Sequence, residues 1–182
     1  MLTSTRMMLK KASMAPAARG ISRAMSTGPV TEDEVKGMLK VWGGALCSIA
    51  KTHREGGDYV AAAEGALDAA YGYGKGTVLF KPTLASGEQT FRGDKEGALS
   101  YFVGGNPKYA QDGGFAIKPW ASADFYIAGI ITGEKHGIVM GNKLLKDVDD
   151  NLTIANFTMG FFRDTDGSLK INLHHSSLPF TP

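Results

Sequence analysis

Gly160-Phe161-Phe162-Arg163-Asp164-Thr165-Asp166-Gly167-Ser168-Leu169-Lys170-Ile171-Asn172-Leu173-His174-His175-Ser176-Ser177 is the stretch that settles the fold class. Asp164-Thr165-Asp166-Gly167 is a tight-turn sequence between two strand-forming runs, so it predicts a β-hairpin. Working backward, strands are expected at 153–163, 137–145, 123–132 and 115–117, and Leu169–Ser177 closes the series. Consecutive strands joined by short turns pair antiparallel.

The first half of the chain reads differently. Thr31-Glu32-Asp33-Glu34 is a capping box, and Val35, Met38, Leu39, Trp42, Leu46 and Ile49 follow at helical spacing. That helix should end near 51–54, before Gly56-Gly57. A second, Ala-rich helix is expected over 58–71, closed by the glycines of Gly72-Tyr73-Gly74-Lys75-Gly76. A short strand over 77–81 stops at Pro82. A third helix covers 94–103 and ends at Gly104-Gly105. Helices first and strands afterwards make an α+β domain with a mostly antiparallel sheet. Residues 29–182 read as one domain, without repeats or linkers.

Composition excludes several classes. The 182 residues are 43% hydrophobic and 21% charged, which is too apolar for wholesale disorder. No apolar run approaches the roughly 18–20 residues of a spanning helix, so no membrane span is expected. A single Cys47 excludes an internal disulfide and a multi-cysteine zinc site. The net charge of +2 comes from the N-terminus, where Arg6, Lys10, Lys11, Arg19 and Arg23 occur without any acid. Removing these five from the 20 basic residues leaves 15 against 18 acidic ones, so no nucleic-acid partner is expected.

Residues 1–28 combine Met, Ala, Ser, Thr and basic residues with no Asp or Glu. That is the composition of an organellar transit peptide. Lys10, Lys11, Arg19 and Arg23 interrupt every apolar run, unlike a secretory signal. Arg23-Ala24-Met25-Ser26 resembles a matrix-peptidase site, with cleavage near Met25. The expected address is the mitochondrial matrix, with the plastid as the second reading.

Several motifs fail on inspection. Gly72-x-Gly74-x-Gly76 leads into a strand, whereas a phosphate loop leaves one and opens a helix. Asp147-x-Asp149-x-Asn151 has Leu152 where a calcium loop needs glycine, and lacks the closing Glu. Neighbouring His174 and His175 face apart on a strand and cannot chelate one ion. No metal site and no cofactor are expected.

On the last strand, alternation puts Ile171 and Leu173 on one side and Asn172, His174 and Ser176 on the other. A polar stripe on a buried strand is costly unless each group finds a partner. Such a stripe lines a pocket or an interface; a solvated outer face is the other reading. Both faces of this strand need covering while the helices suffice for one, so a homodimer or larger homo-oligomer is expected.

The ending Leu173-His174-His175-Ser176-Ser177-Leu178-Pro179 resembles the HHSSxP signature of the association-domain family related to calcium/calmodulin-dependent kinase II. Within that family the chain resembles the iota-class carbonic anhydrases of algae and cyanobacteria. Gly160-Phe161-Phe162-Arg163-Asp164-x-Asp166-Gly167-Ser168-Leu169 and Phe80-Lys81-Pro82-Thr83 fit the same pattern, and the likeness spans about residues 31–180. The resemblance implies an NTF2-like cone: N-terminal helices packed in a strongly curved, mostly antiparallel sheet, with a pocket in the concavity. It implies metal-independent, reversible hydration of carbon dioxide to bicarbonate. By position, Thr83, Tyr101 and Ser176 fall on the hydroxyls that bind the substrate. Tyr101, His174 and Ser176 fall on the catalytic positions.

The chemistry constrains how such a site could work. A zinc enzyme lowers the pKa of its bound water from about 15.7 to about 7, worth roughly 12 kcal/mol. Three hydroxyls at about 0.5–1.5 kcal/mol each cannot hold a hydroxide that way. The proton must therefore leave during attack, and His174 is the expected acceptor, directly or through Ser176 or Tyr101, since imidazole titrates near neutral pH. Two other readings remain open. One is a non-catalytic association module. The other is a different small-molecule enzyme such as an isomerase, for which Asp124 would be the strand carboxylate to check.

Overall fold

The structure is a computed structural model that describes residues 27–181. The expected leader lies outside the described residues, apart from its last two positions. Helix α1 runs over Glu32–Arg54 and begins at the predicted capping box: Thr31 Oγ1 accepts from the Glu34 N–H, and Glu34 accepts from the Thr31 N–H. Asp58 caps α2, Tyr59–Ala70, and Asp94 caps α3, Lys95–Val103. The glycine expected after α3 is Gly104, whose φ of 71° only glycine adopts without strain. All three helices match their sequence signals because caps and apolar spacing act locally.

Five strands follow this plan: β1 Leu79–Lys81, β2 Trp120–Thr132, β3 His136–Asp147, β4 Leu152–Arg163 and β5 Leu169–Ser177. They form one sheet in the order β1-β5-β4-β3-β2. The last four pair antiparallel, and β1 adds to the edge parallel to β5. The predicted turn joins β4 to β5, with Asp164 N–H donating to the Ser168 carbonyl and Gly167 at φ 79°. The expected strand at 115–117 does not form. Phe115 and Ala116 instead donate their N–H groups to the Tyr101 and Phe102 carbonyls, satisfying the end of α3.

The strongly curved cone implied by the resemblance is corrected here. The sheet is mixed, open and not strongly curved: its edges β1 and β2 never meet. Strong curvature needs repeated bulges along the strands, and closure needs the edges to pair. The central β3–β4 ladder instead runs from His136↔Phe162 to Lys146↔Leu152 without a register shift. The helices cover one face. Along β3 the buried positions Val139, Gly141, Lys143 and Leu145 alternate with more exposed neighbours. Val35, Met38, Leu39, Trp42, Leu46 and Ile49 of α1 form the helical side of that core. Arg163 ties the start of α1 to the end of β4, its Nη2 2.9 Å from Glu34 Oε2, and this bonding holds the Glu34 carboxyl at about 2.

A second expectation falls to a single inserted residue. Simple alternation put Ile171 with Leu173 and opposite His174. The β4–β5 register steps from Gly160↔Leu173 to Phe161↔Ile171, leaving Asn172 without a partner. This bulge resets the alternation, so Ile171, His174 and Ser176 all face the core while Asn172 does not share their face. A bulge in β2 between Ile127 and Gly129 presses that backbone onto Gly141, where an added Cβ would overlap the Tyr126 carbonyl oxygen. Gly141→Ala should therefore lower the unfolding free energy by about 3 kcal/mol, read as a drop in the urea midpoint.

Candidate active site

Three hydroxyls predicted from separate parts of the chain meet at the end of β1. Phe80 lies opposite His174, and Pro82 then ends the strand, so Thr83 leaves the sheet beside Ser176. Thr83 Oγ1 donates to Ser176 Oγ at 2.9 Å, and Ser176 Oγ donates to the Asn156 carbonyl at 2.9 Å. Tyr101 arrives from α3, and its hydroxyl oxygen accepts a long 3.4 Å bond from the Leu84 N–H. All three side chains are buried. Burial pushes the Tyr101 phenol well above its ordinary pKa, so it stays a proton donor throughout the working range.

The surroundings suit a small apolar molecule that becomes an anion. Tyr101 stacks on Phe115 at 5.4 Å and meets the edge of Phe80 at 5.9 Å, which supplies an apolar wall. Lys81 Nζ donates to the Ser176 and Thr83 carbonyls at 2.9 and 3.4 Å, placing a cation against the hydroxyl pair. A pocket of about 200 Å³, lined by Leu84, Ala85, Tyr101, Gln111, Phe115 and Lys118 among others, opens against Tyr101. Its rear loop is held by a buried ion pair, Arg92 Nη2 to Asp112 at 2.8 Å, to which Ser100 also donates at 2.7 Å.

His174 is one inward position along β5 from Ser176, stacked on Phe80 at 4.9 Å. Both of its ring nitrogens are engaged elsewhere. Nδ1 lies 2.7 Å from the Tyr71 hydroxyl, and Nε2 lies 3.3 Å from Lys143 Nζ. Trp42 Nε1–H donates to the Tyr71 hydroxyl at 3.1 Å, and Lys143 Nζ stands 4.6 Å from the centre of the Trp42 indole. Burial first, and then the Lys143 charge, push the imidazole well below its ordinary pKa. His174 is thus neutral at working pH. The group that titrates in the neutral range is Lys143, which burial and then Lys81 bring down to about 7.

The structure therefore gathers Thr83, Tyr101 and Ser176 into one cluster, with His174 beside it in a second polar chain. Four residues went unrecognised in the sequence. Tyr71 reads as the end of the second helix, Trp42 as an apolar helix position, and Lys81 as the end of a short strand. Lys143 did leave a signal: it stands in phase with Val139, Gly141 and Leu145, at a position that strand alternation sends inward. Among the described residues, no three His, Cys, Asp or Glu side chains cluster as a metal site requires.

Comparison with known proteins identifies the lineage. The family model for metal-independent carbonic anhydrase matches residues 33–178. The chain belongs to that family. A metal-independent carbonic anhydrase from Nostoc sp. is 41% identical over 153 residues, covering 83% of this chain and 75% of the relative. The crystal structure of a cyanobacterial iota-carbonic anhydrase complexed with bicarbonate superposes with a TM-score of 0.83 at 40% identity, covering 85% of this chain and 95% of that one. More distant likenesses concern the fold alone. A Xanthomonas campestris protein assigned to the calcium/calmodulin-dependent protein kinase II association domains gives a TM-score of 0.53 at 16% identity, over 85% of this chain and 96% of that one. A protein of the NTF2-like family from Streptomyces avermitilis gives 0.52 at 14%, over 82% and 96%. This metal-independent carbonic anhydrase thus has an NTF2-like-related α+β fold whose sheet stays open.

Proposed function

We propose that this carbonic anhydrase interconverts carbon dioxide and bicarbonate at the Thr83–Tyr101–Ser176 cluster. The observation that carries the assignment is the convergence of three buried hydroxyls from different elements beside an apolar wall and a lysine. Carbon dioxide fits against Phe80 and Phe115. As a water oxygen attacks its carbon, negative charge grows on the carbon dioxide oxygens. The Tyr101 and Thr83 hydroxyls can donate to those oxygens, Thr83 by rotating away from Ser176. Lys81 favours the anion electrostatically. Bicarbonate formed in this way would replace the direct Thr83–Ser176 bond.

The proton released by the attacking water has to leave in the same step. His174 lies next to the hydroxyls, and a neutral imidazole can take a proton at one nitrogen while giving one up at the other. We assign His174 that relay. Tyr101→Phe should lower kcat/KM for hydration by about tenfold while leaving stability nearly unchanged, because the ring packing remains. Ser176→Ala should act in the same direction, and exhaustive chelation should leave the wild-type rate intact. Stopped-flow hydration assays on chelator-treated protein check all three. Full activity in the Tyr101→Phe/Ser176→Ala double variant would place the site elsewhere.

We further propose that the chain assembles through the sheet face left bare by the helices. Tyr126, Ile138, Met140 and Ile154 are exposed there, an apolar surface on one side of a single-layered sheet. Light scattering at micromolar concentration should give at least a dimer mass; a monomer would refute the proposal.

Residues 1–28 are proposed as a mitochondrial transit peptide on their acid-free, basic composition, with a plastid address as the competing reading. A fluorescent fusion of residues 1–30 should enter mitochondria. Plastid fluorescence would change the address, and cytosolic fluorescence would refute import.

A further inference from the structure

Lys143 is a lysine that carbon dioxide binding does not explain. It lies on β3, only 1% exposed, and among the described residues no carboxylate stands within ion-pair distance of it. Its register partners on β2 and β4 are Phe125 and Ala155, neither of which can share its proton. Ala155, its partner on β4, carries only a methyl side chain beside the long lysine stem. The titratable groups that face it are His174 from β5 and Lys81 from β1, with the Tyr71 phenol beyond the imidazole. From α1 the Trp42 indole stands against it, its ring centre 4.6 Å from Nζ. A lysine kept merely for packing would be better replaced by an apolar residue of similar volume.

The donor and acceptor pattern shows what this lysine can do. Trp42 Nε1–H donates to Tyr71 Oη, which leaves the Tyr71 O–H free to donate to His174 Nδ1. The neutral ring then carries its hydrogen on Nε2 and points it at Lys143 Nζ. Only an uncharged amine has the lone pair to accept it. If Lys143 is charged, it donates to Nε2 instead, the ring hydrogen moves to Nδ1, and the Tyr71 O–H turns out of the chain. The Tyr71–His174 and His174–Lys143 hydrogen bonds therefore persist in two states that differ by one proton.

We propose that Lys143 stores, through His174, the proton released when carbon dioxide is hydrated. The inference rests on the carbonic anhydrase reading of the neighbouring hydroxyls. In the step, the water oxygen bonds to the carbon, one C=O π pair moves onto oxygen, and one O–H bond of the water breaks. Tyr71 Oη takes up that proton, by way of intervening water, as it passes its own to Nδ1. His174 gives its Nε2 hydrogen to Lys143, and the amine becomes an ammonium. A base in solution later removes the proton and resets the chain. No electrons are gained or lost. Burial and Lys81 hold the amine at about 7, where it can both accept and release a proton at working pH.

The test compares wild type, Lys143→Met and Lys143→Arg by stopped-flow hydration against pH in weak buffer. The wild-type rate should rise with pH through a midpoint near 7, as the amine becomes neutral. Lys143→Met should lose that inflection and about tenfold or more in rate, with partial rescue by added imidazole, while bicarbonate affinity stays within about twofold. Lys143→Arg, charged at every pH, should remain slow throughout. Independently of activity, the ¹³Cε shift of Lys143 in the wild-type protein should titrate near 7. An amine that titrates near the ordinary lysine value of about 10.4, or a Lys143→Met enzyme with unchanged rate and inflection, overturns the inference alone. A wild-type protein with no hydration activity overturns the functional reading, and the inference with it.

Discussion

The need to satisfy a buried chain of polar groups governs this structure more than any single apolar contact. Trp42, Tyr71, His174 and Lys143 come from α1, the end of α2, β5 and β3, and they meet inside the core at 2.7 to 3.3 Å. Each would cost free energy if buried without a partner. Their pairing therefore fixes how both long helices sit on the inner face of the sheet. The hydroxyl cluster is aligned by the same device, since Phe80 stacks on His174 and Thr83 follows Phe80 by three residues.

The proposed reaction divides the labour of catalysis between two neighbouring polar sets. In that proposal the hydroxyls of Thr83, Tyr101 and Ser176 serve as oriented donors. In the proposed reaction, proton handling falls to a chain in which imidazole is the conductor and an amine is the reservoir. A zinc ion performs both tasks at once by acidifying the water it binds. Without such an ion, the work has to be spread over groups tuned by burial, and the low polarity of the core is what tunes them.

Local signals carried a large part of the description. The capping box of α1, the glycine after α3, the Asp164–Gly167 turn and the β5 limits were legible because each depends on neighbours within a few residues. The hydroxyl positions came from resemblance, and the structure places them together. The strongly curved cone failed because curvature depends on where bulges fall across several strands. The faces of β5 were misread for the same reason at smaller scale: one unpaired residue, Asn172, inverts the alternation on one side of it.

By itself, then, the sequence determined the helices and their caps, the run of strands, the α+β class, and a tail of His and Ser that needed partners. Tertiary structure alone decided what those partners are. Period-two alternation says that Lys143 points inward, but not that it stops 3.3 Å from an imidazole on a strand two places away in the sheet. Nor could it say that this lysine, and not the histidine, titrates near neutrality. That outcome depends on desolvation and on charges brought close by folding, quantities that exist only once distant segments share one interior.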